Sequence, residues 1–256
     1  MSVKSALRTV ALLELLAERG DRPSRLRELS EELNVPRSSM YSLLQTLVDQ
    51  GWVRTDVTGA LYGIGIRALL TGTSYLDSDR RVRLVRPFLD EASDALGETI
   101  HLGRLDGRNV VYLATRESHE YPRTIHRVGR RVPVHAGALG KALLAEHPDD
   151  ALPLPATGEL AALTPHTLTD RAALLADLAA TRERGHSVEH EETVPGIAGF
   201  GFALRYDSPA IDAISCSVPL ARLTPEHERQ IVSVMREIRR RVESLPPRGT
   251  PEPEWR

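Results

Sequence analysis

The sequence contains one cysteine, Cys216, in 256 residues, which excludes an intrachain disulfide framework and fits a reducing cytosol. It has no apolar run long enough to span a bilayer and no signal-peptide pattern at its start. A cytoplasmic location with no membrane partner is therefore expected. A net charge of -2 argues against non-specific coating of polyanions. No repeat of solenoid period is present, and low complexity is confined to the Pro-rich tail at 246–256, which is expected to be disordered. What remains is an ordinary globular composition, 41% hydrophobic, with length enough for two modest domains.

One absence is local. Residues 1–80 hold ten Lys/Arg and ten Asp/Glu, yet no acidic residue lies between Glu32 and Asp49. That stretch carries two stripes at helical period. Met40, Leu43, Leu44, Leu47 and Val48 share one apolar face. Ser38, Tyr41, Ser42 and Gln45 share a second face that is polar but uncharged, with Arg37 and Ser39 at its N-terminal end. A solvated face would carry Glu and Lys; Ser, Tyr, Gln and Arg suit hydrogen bonding to base edges and phosphates.

The flanks support a DNA-reading helix. Residues 6–18 and 24–33 have amphipathic helical patterns, and Asn34, Val35 and Pro36 form a tight turn with Pro36 in the first turn of the next helix. Gly51 stops that helix. Residues 52–55 and 60–64, joined by Asp56-Val57-Thr58-Gly59, read as a β-hairpin. Helix, turn, helix and hairpin make a winged helix-turn-helix whose wing offers Arg54 and Thr58 to DNA. A plain helical subdomain with Ser-rich exposed positions would not need these parts in this order.

Residues 65–79 read as a linker helix. A helix over residues 80–96 follows, then strands at 98–105 and 109–115 around Asp106-Gly107-Arg108, and further strands near 124–128 and 131–134. Gly137 opens a helix to Glu146, and Thr169 is placed to cap another over 170–184. Strands at 187–191, 197–206 and 211–218 precede a final helix capped by Thr224, with Pro225 at its first position. Strands flanked by helices predict an α+β domain built on one antiparallel sheet.

In order and spacing, PRSSMYSLLQTLVDQGWV, VPVHAGALGKALLA and AISCSVPLARLTPE resemble the IclR family of transcriptional regulators across residues 4–244. The resemblance implies a winged helix-turn-helix (1–64), a linker helix (65–79) and a GAF-like effector-binding domain with a mostly antiparallel sheet (80–245). It also implies homodimers, or dimers of dimers, on pseudo-palindromic double-stranded DNA operators, with repression the favoured sense. Carried over by motif, the effector site is Ala138, Leu139, Glu189, Ile197, Gly199, Ser215 and Ser217. Ser215 and Ser217, two apart on a strand, point to one face and suit a sugar, a sugar acid or another small organic acid. Gly199 stands where some family members have cysteine, which predicts extra room.

Other motifs fail on context. His135 to Lys141 lacks the first glycine and the final Ser/Thr of a phosphate loop. Gly196 to Gly201 enters a strand, not a helix, and so is no dinucleotide fingerprint. Alternation separates Glu189 and Glu191 from His190 and Glu192, so a metal cluster is not expected, and a solvated acidic loop with Glu189 turned inward is. Cys216 points away from the two serines, as a core residue would. No cofactor is implied. The competing reading, an enzyme converting a small molecule with the helix-turn-helix used only for dimerisation, lacks a nucleophile–base pair, a metal set and a nucleotide loop.

Overall fold

The computed structural model describes residues 3–118, 128–155 and 160–245. The tail at 246–256 and nearly all of the strand expected near 124–128 lie outside the described residues. The chain divides into two compact units, Met1–Asp79 and Arg80–Arg256.

In the first unit, α1 (Lys4–Arg19), α2 (Leu26–Glu32) and α3 (Arg37–Asp49) bury Leu12, Leu15, Leu16, Leu29, Met40, Leu44 and Leu47 in one core. Leu43 and Val48 pack against it, as the apolar stripe predicted. Three short strands, β1 (Ser24–Arg25), β2 (Val53–Thr55) and β3 (Leu61–Ile64), pair antiparallel in the order β1-β3-β2. The helix expected over residues 24–33 therefore starts two residues late. Ser24 is drawn into the sheet opposite Tyr62, and its hydroxyl accepts a hydrogen bond from Arg19 at 2.9 Å. The Arg25 N–H donates to the Glu28 carboxylate at 2.9 Å, which caps the helix at Leu26. Pro36 stands just before α3 with extended ψ, not inside its first turn. The linker forms α4 (Ile66–Ser78), a helix with no buried residue.

The second unit opens with α5 (Arg80–Leu96) and holds β4 (Thr99–Asp106), β5 (Asn109–Arg116), β6 (Arg131–Pro133), α6 (Ala138–Leu144), α7 (Arg171–Arg184), β7 (Ser187–His190), β8 (Ile197–Leu204), β9 (Asp212–Pro219) and α8 (Pro225–Glu243). The six strands make one antiparallel sheet in the order β6-β5-β4-β9-β8-β7. One face is apolar: Ile100, Leu102, Phe200, Phe202, Ile214, Cys216 and Val218 are fully buried, and α5 and α8 pack on these strands. Cys216 lies on this face, where burial pushes its thiol well up. Asp170, not Thr169, caps α7, because its carboxylate accepts the Ala173 N–H at 2.8 Å. Thr224 caps α8 as expected, with Pro225 at its first position.

Candidate functional site

Two polar surfaces stand out, one in each unit. In the first, the packing of Met40, Leu44 and Leu47 turns the opposite side of α3 outward. Arg37, Ser38, Tyr41 and Ser42 are exposed, and Ser39 and Gln45 are half-buried. Tyr41 is 54% exposed, a large ring with no core to fill. The Ser42 hydroxyl donates to the Ser38 carbonyl at 3.1 Å, and Gln45 hydrogen-bonds the Tyr62 phenol on β3. Arg37 lies 3.6 Å from Glu31, so the acid-free stretch of sequence has an acidic neighbour in space.

The wing tip is built around Asp56, which sequence reasoning did not single out. Its carboxylate accepts from the Thr58 hydroxyl at 2.5 Å and from the Ala60 and Leu61 N–H groups at 2.9 and 2.8 Å. These bonds, that of Thr58 first, hold its pKa down to about 2. Thr58 thus spends its hydroxyl inside the wing. Arg54 is exposed and lies across Gly63, its partner on β3.

In the second unit, strand register assembles the other surface. Directly opposed residues of antiparallel strands point to the same face. Thr99, Ser217, Gly199 and Glu189 form one row across β4, β9, β8 and β7. Thr115, His101, Ser215, Gly201 and Ser187 form the next, beginning on β5. Glu189, Gly199, Ser215 and Ser217, chosen from sequence, therefore share a face, and Ile197 sits two residues before Gly199 on the same side. Thr99, His101 and Thr115 join them unannounced. For Thr99 and His101 the only sequence signal was their alternation with Ile100 and Leu102 on β4; Thr115 on β5 had none.

Ala138 and Leu139 begin α6 over this face. The contact is tight: a Cβ on Gly201 would lie 2.2 Å from the Ala138 carbonyl oxygen, and one on Gly140 1.9 Å from that of Val134. Ser187 donates to the Ala138 carbonyl at 2.6 Å. The extra room expected at Gly199 is already filled, because a Cβ there would meet Glu189 Cγ at 3.0 Å and Ala138 Cβ at 3.1 Å.

Glu189 is 3% exposed. Its carboxylate accepts from the Glu192 N–H at 2.8 Å and the Thr193 hydroxyl at 2.9 Å. Burial pushes its pKa up to about 7 against the pull of those hydrogen bonds, with the Glu192 charge raising it and Lys141 lowering it. The acidic loop is not solvated as expected. Strand β7 ends at His190, and Glu191 takes φ 59°, which folds the chain back and buries Glu192. Glu192 meets the Lys141 ammonium at 2.6 Å, and Asp177 meets it at 3.0 Å. Lys141, 1% exposed, is thus a buried counter-ion and not a phosphate ligand. Among the described residues no group of three or more His, Cys, Asp or Glu side chains could hold a metal ion. His135 is pinned to the Ala161 carbonyl at 2.9 Å.

A third cluster connects to this face along β9. Asp212, fully buried three residues before Ser215, accepts from Arg104 at 2.6 and 2.8 Å and from the Tyr206 hydroxyl. The Arg81 guanidinium stacks 4.8 Å from the Tyr206 ring centroid and pairs with Asp207. Arg81 is the second residue of α5.

Family models match both halves of the chain: the IclR helix-turn-helix domain at residues 5–57 and the bacterial transcriptional regulator IclR C-terminal domain at residues 73–244. The chain belongs to the IclR family. The transcriptional regulator XynR of Escherichia coli is 31% identical over 86% of this chain and 88% of its own length. The crystal structure of an IclR transcriptional regulator from Alicyclobacillus acidocaldarius superposes with a TM-score of 0.82 at 24% identity, covering 95% of this chain and 99% of that one. An IclR homologue from Microbacterium hydrocarbonoxydans, crystallised with 4-hydroxybenzoate, has a TM-score of 0.74 at 24% identity, covering 94% and 98%. In this family an N-terminal reading domain is joined to a C-terminal effector-binding domain. The chain is a DNA-binding transcriptional regulator and not an enzyme.

Proposed function

We propose that this IclR-family regulator works in the cytoplasm as a homodimer, or a dimer of dimers, on a pseudo-palindromic operator, and that a small oxygen-bearing metabolite sets its affinity. The sheet face carries this reading. Hydroxyls, an imidazole and a carboxylate are gathered on one side, beneath the start of α6, while the other side is apolar apart from ion-paired groups such as Arg104 and Asp212. Glu189, Ser215 and Ser217 supply the polar contacts to the metabolite, and Ala138, Leu139, Ile197 and Gly199 shape its surroundings. On DNA, Tyr41, Ser38, Ser42 and Gln45 face base edges; Arg37, Ser39, Arg54 and Thr58 face the backbone. Repression is the favoured sense.

Apolar side chains left outside the core support the dimer. Val3 just before α1, Leu7 and Val10 on it, and Ile66, Leu69, Leu70 and Tyr75 on α4 are each more than half exposed. A second copy would cover them and place two recognition helices about one turn of DNA apart. Ligand acts by binding two arrangements of that dimer unequally. No described helix is long and apolar enough to cross a membrane. Light scattering on Leu69→Glu/Leu70→Glu tests the assembly: a folded monomer with lost operator binding is expected, and an unchanged oligomer would remove α4 from the interface. Thermal-shift screening of organic acids and sugars, 4-hydroxybenzoate included, against wild type and Ser215→Ala/Ser217→Ala tests the site.

A further inference from the structure

We propose that His101, held by Thr115 and Tyr112, is a specificity-determining contact at the end of the small-molecule site opposite Glu189, so that the ligand is an oxygen-rich molecule with a polar group at each end. This rests on the reading of the sheet face as the effector site.

Three observations carry it. His101 is fully buried and stands directly opposite Ser215 on β9, on the polar face and not the apolar one. A histidine kept only to fill the core would sit more cheaply among Ile100, Leu102 and Ile214 on the other side, as an apolar residue would. Its ring is also fixed. Nδ1 lies 3.0 Å from the Thr115 hydroxyl, and the ring meets Tyr112 edge-on at 5.1 Å and 84°. Contacts that select among ligands need such fixed orientation. Finally, the two ends belong to one face of the sheet, because His101 opposes Ser215 and Glu189 opposes Gly199, which opposes Ser217. Tyr112 is on β5 and Glu189 on β7, with three strands between them, yet the Glu189 charge adds to burial in pushing the Tyr112 phenol up. Between the ends run the Thr99, Ser215 and Ser217 hydroxyls. The charged and titratable groups around Glu189 are Glu192 and Lys141, with Asp177 beyond them, and Tyr112 across the face. Lys141 is already shared by two carboxylates, which leaves the His101 end to receive a ligand's acceptor and Glu189 to receive its hydroxyl.

The test uses the full chain and a fixed panel: pyruvate, D-glycerate, D-gluconate, sorbitol and 4-hydroxybenzoate. Binding is read by calorimetry and by the shift in melting temperature for wild type, His101→Gln, His101→Phe and Ser215→Ala/Ser217→Ala. The expected result is a panel member whose binding is lost in the serine double variant and at least tenfold weaker in His101→Gln, with a changed rank order across the panel. His101→Gln keeps a polar side chain, so it also reports if His101→Phe fails to fold. Loss in the serine variant with affinity and ranking unchanged in His101→Gln would overturn the role of His101 and leave the site standing. Binding indifferent to both sets of changes would overturn the site and the inference together. A panel with no binder to wild type would overturn the two-ended, oxygen-rich ligand class.

Discussion

The reading face of α3 and the polar face of the effector-domain sheet are built from similar side chains, Ser, Thr, Tyr and one or two charges, yet they live under opposite rules. On α3 the polar residues are in water before DNA arrives, so each can be changed at little cost to folding. On the sheet they are buried, so every polar group needs a partner, and the partners come from distant parts of the chain. The α3 face can be specific only through what it touches; the sheet face is specific and structural at once. Substitutions should therefore separate binding from stability in the first unit and entangle them in the second.

The largest expected effect follows from Lys141. Lys141→Ala leaves the buried Glu192 carboxylate without its cation, and unpairing a buried ion costs about 3–5 kcal/mol. Denaturant unfolding of the variant should show that loss. A change below about 1 kcal/mol would mean that water reaches the cluster.

Glu189 comes next. Its folded pKa of about 7 stands above the ordinary 4.5, so the folded state holds the proton more tightly and stability falls as pH rises from 4.5 through 7. Over that window wild type should lose about 3 kcal/mol relative to Glu189→Gln, which keeps the shape without the charge. Parallel stability–pH curves would contradict it.

On α3 the effects should appear only with DNA present. Tyr41→Ala is expected to weaken operator binding about 10-fold to 100-fold, in line with about 1–3 kcal/mol for a base contact, and Arg37→Ala to weaken binding about uniformly across sequences, with melting temperature unchanged in both. The salt dependence should flatten by about one unit of slope for Arg37→Ala only, because a phosphate contact releases counterions and a base contact does not. Unfolding of either variant would break the comparison.

The smallest effect concerns communication. Tyr206→Phe removes one hydroxyl between Asp212, on the strand of Ser215, and the ring under Arg81. Ligand affinity should hold, while the ligand's effect on operator binding falls by about 1 kcal/mol, roughly fivefold. An unchanged coupling would place the route elsewhere.

The same contrast explains what the sequence discloses. Helix α3 follows from local period alone: Met40, Leu44 and Leu47 had to face inward, so Ser38, Tyr41 and Ser42 had to face out. Pairs in the sheet are far apart in sequence. That His101 opposes Ser215, 114 positions away, is set by strand order and register, which no local pattern encodes. The resemblance carried over Glu189, Gly199, Ser215 and Ser217, but not Thr99, His101 or Thr115. The role of Lys141 was hidden for a related reason. It stands in a stretch that fails as a phosphate loop, and its partners, Glu192 and Asp177, come from a reversal at Glu191 and from α7. The late start of α2 was likewise non-local, because Ser24 answers to β3 and not to its own helix.

The most direct test of the account is fluorescence anisotropy of the full chain on duplex DNA flanking its own gene, against a scrambled duplex, with and without each panel compound. The account predicts salt-dependent preference for the native duplex, and about a 5-fold to 150-fold change in its affinity on adding a compound that needs Ser215 and Ser217 to bind. Equal binding to both duplexes, or a native-duplex affinity that such a bound compound leaves unmoved, would contradict it.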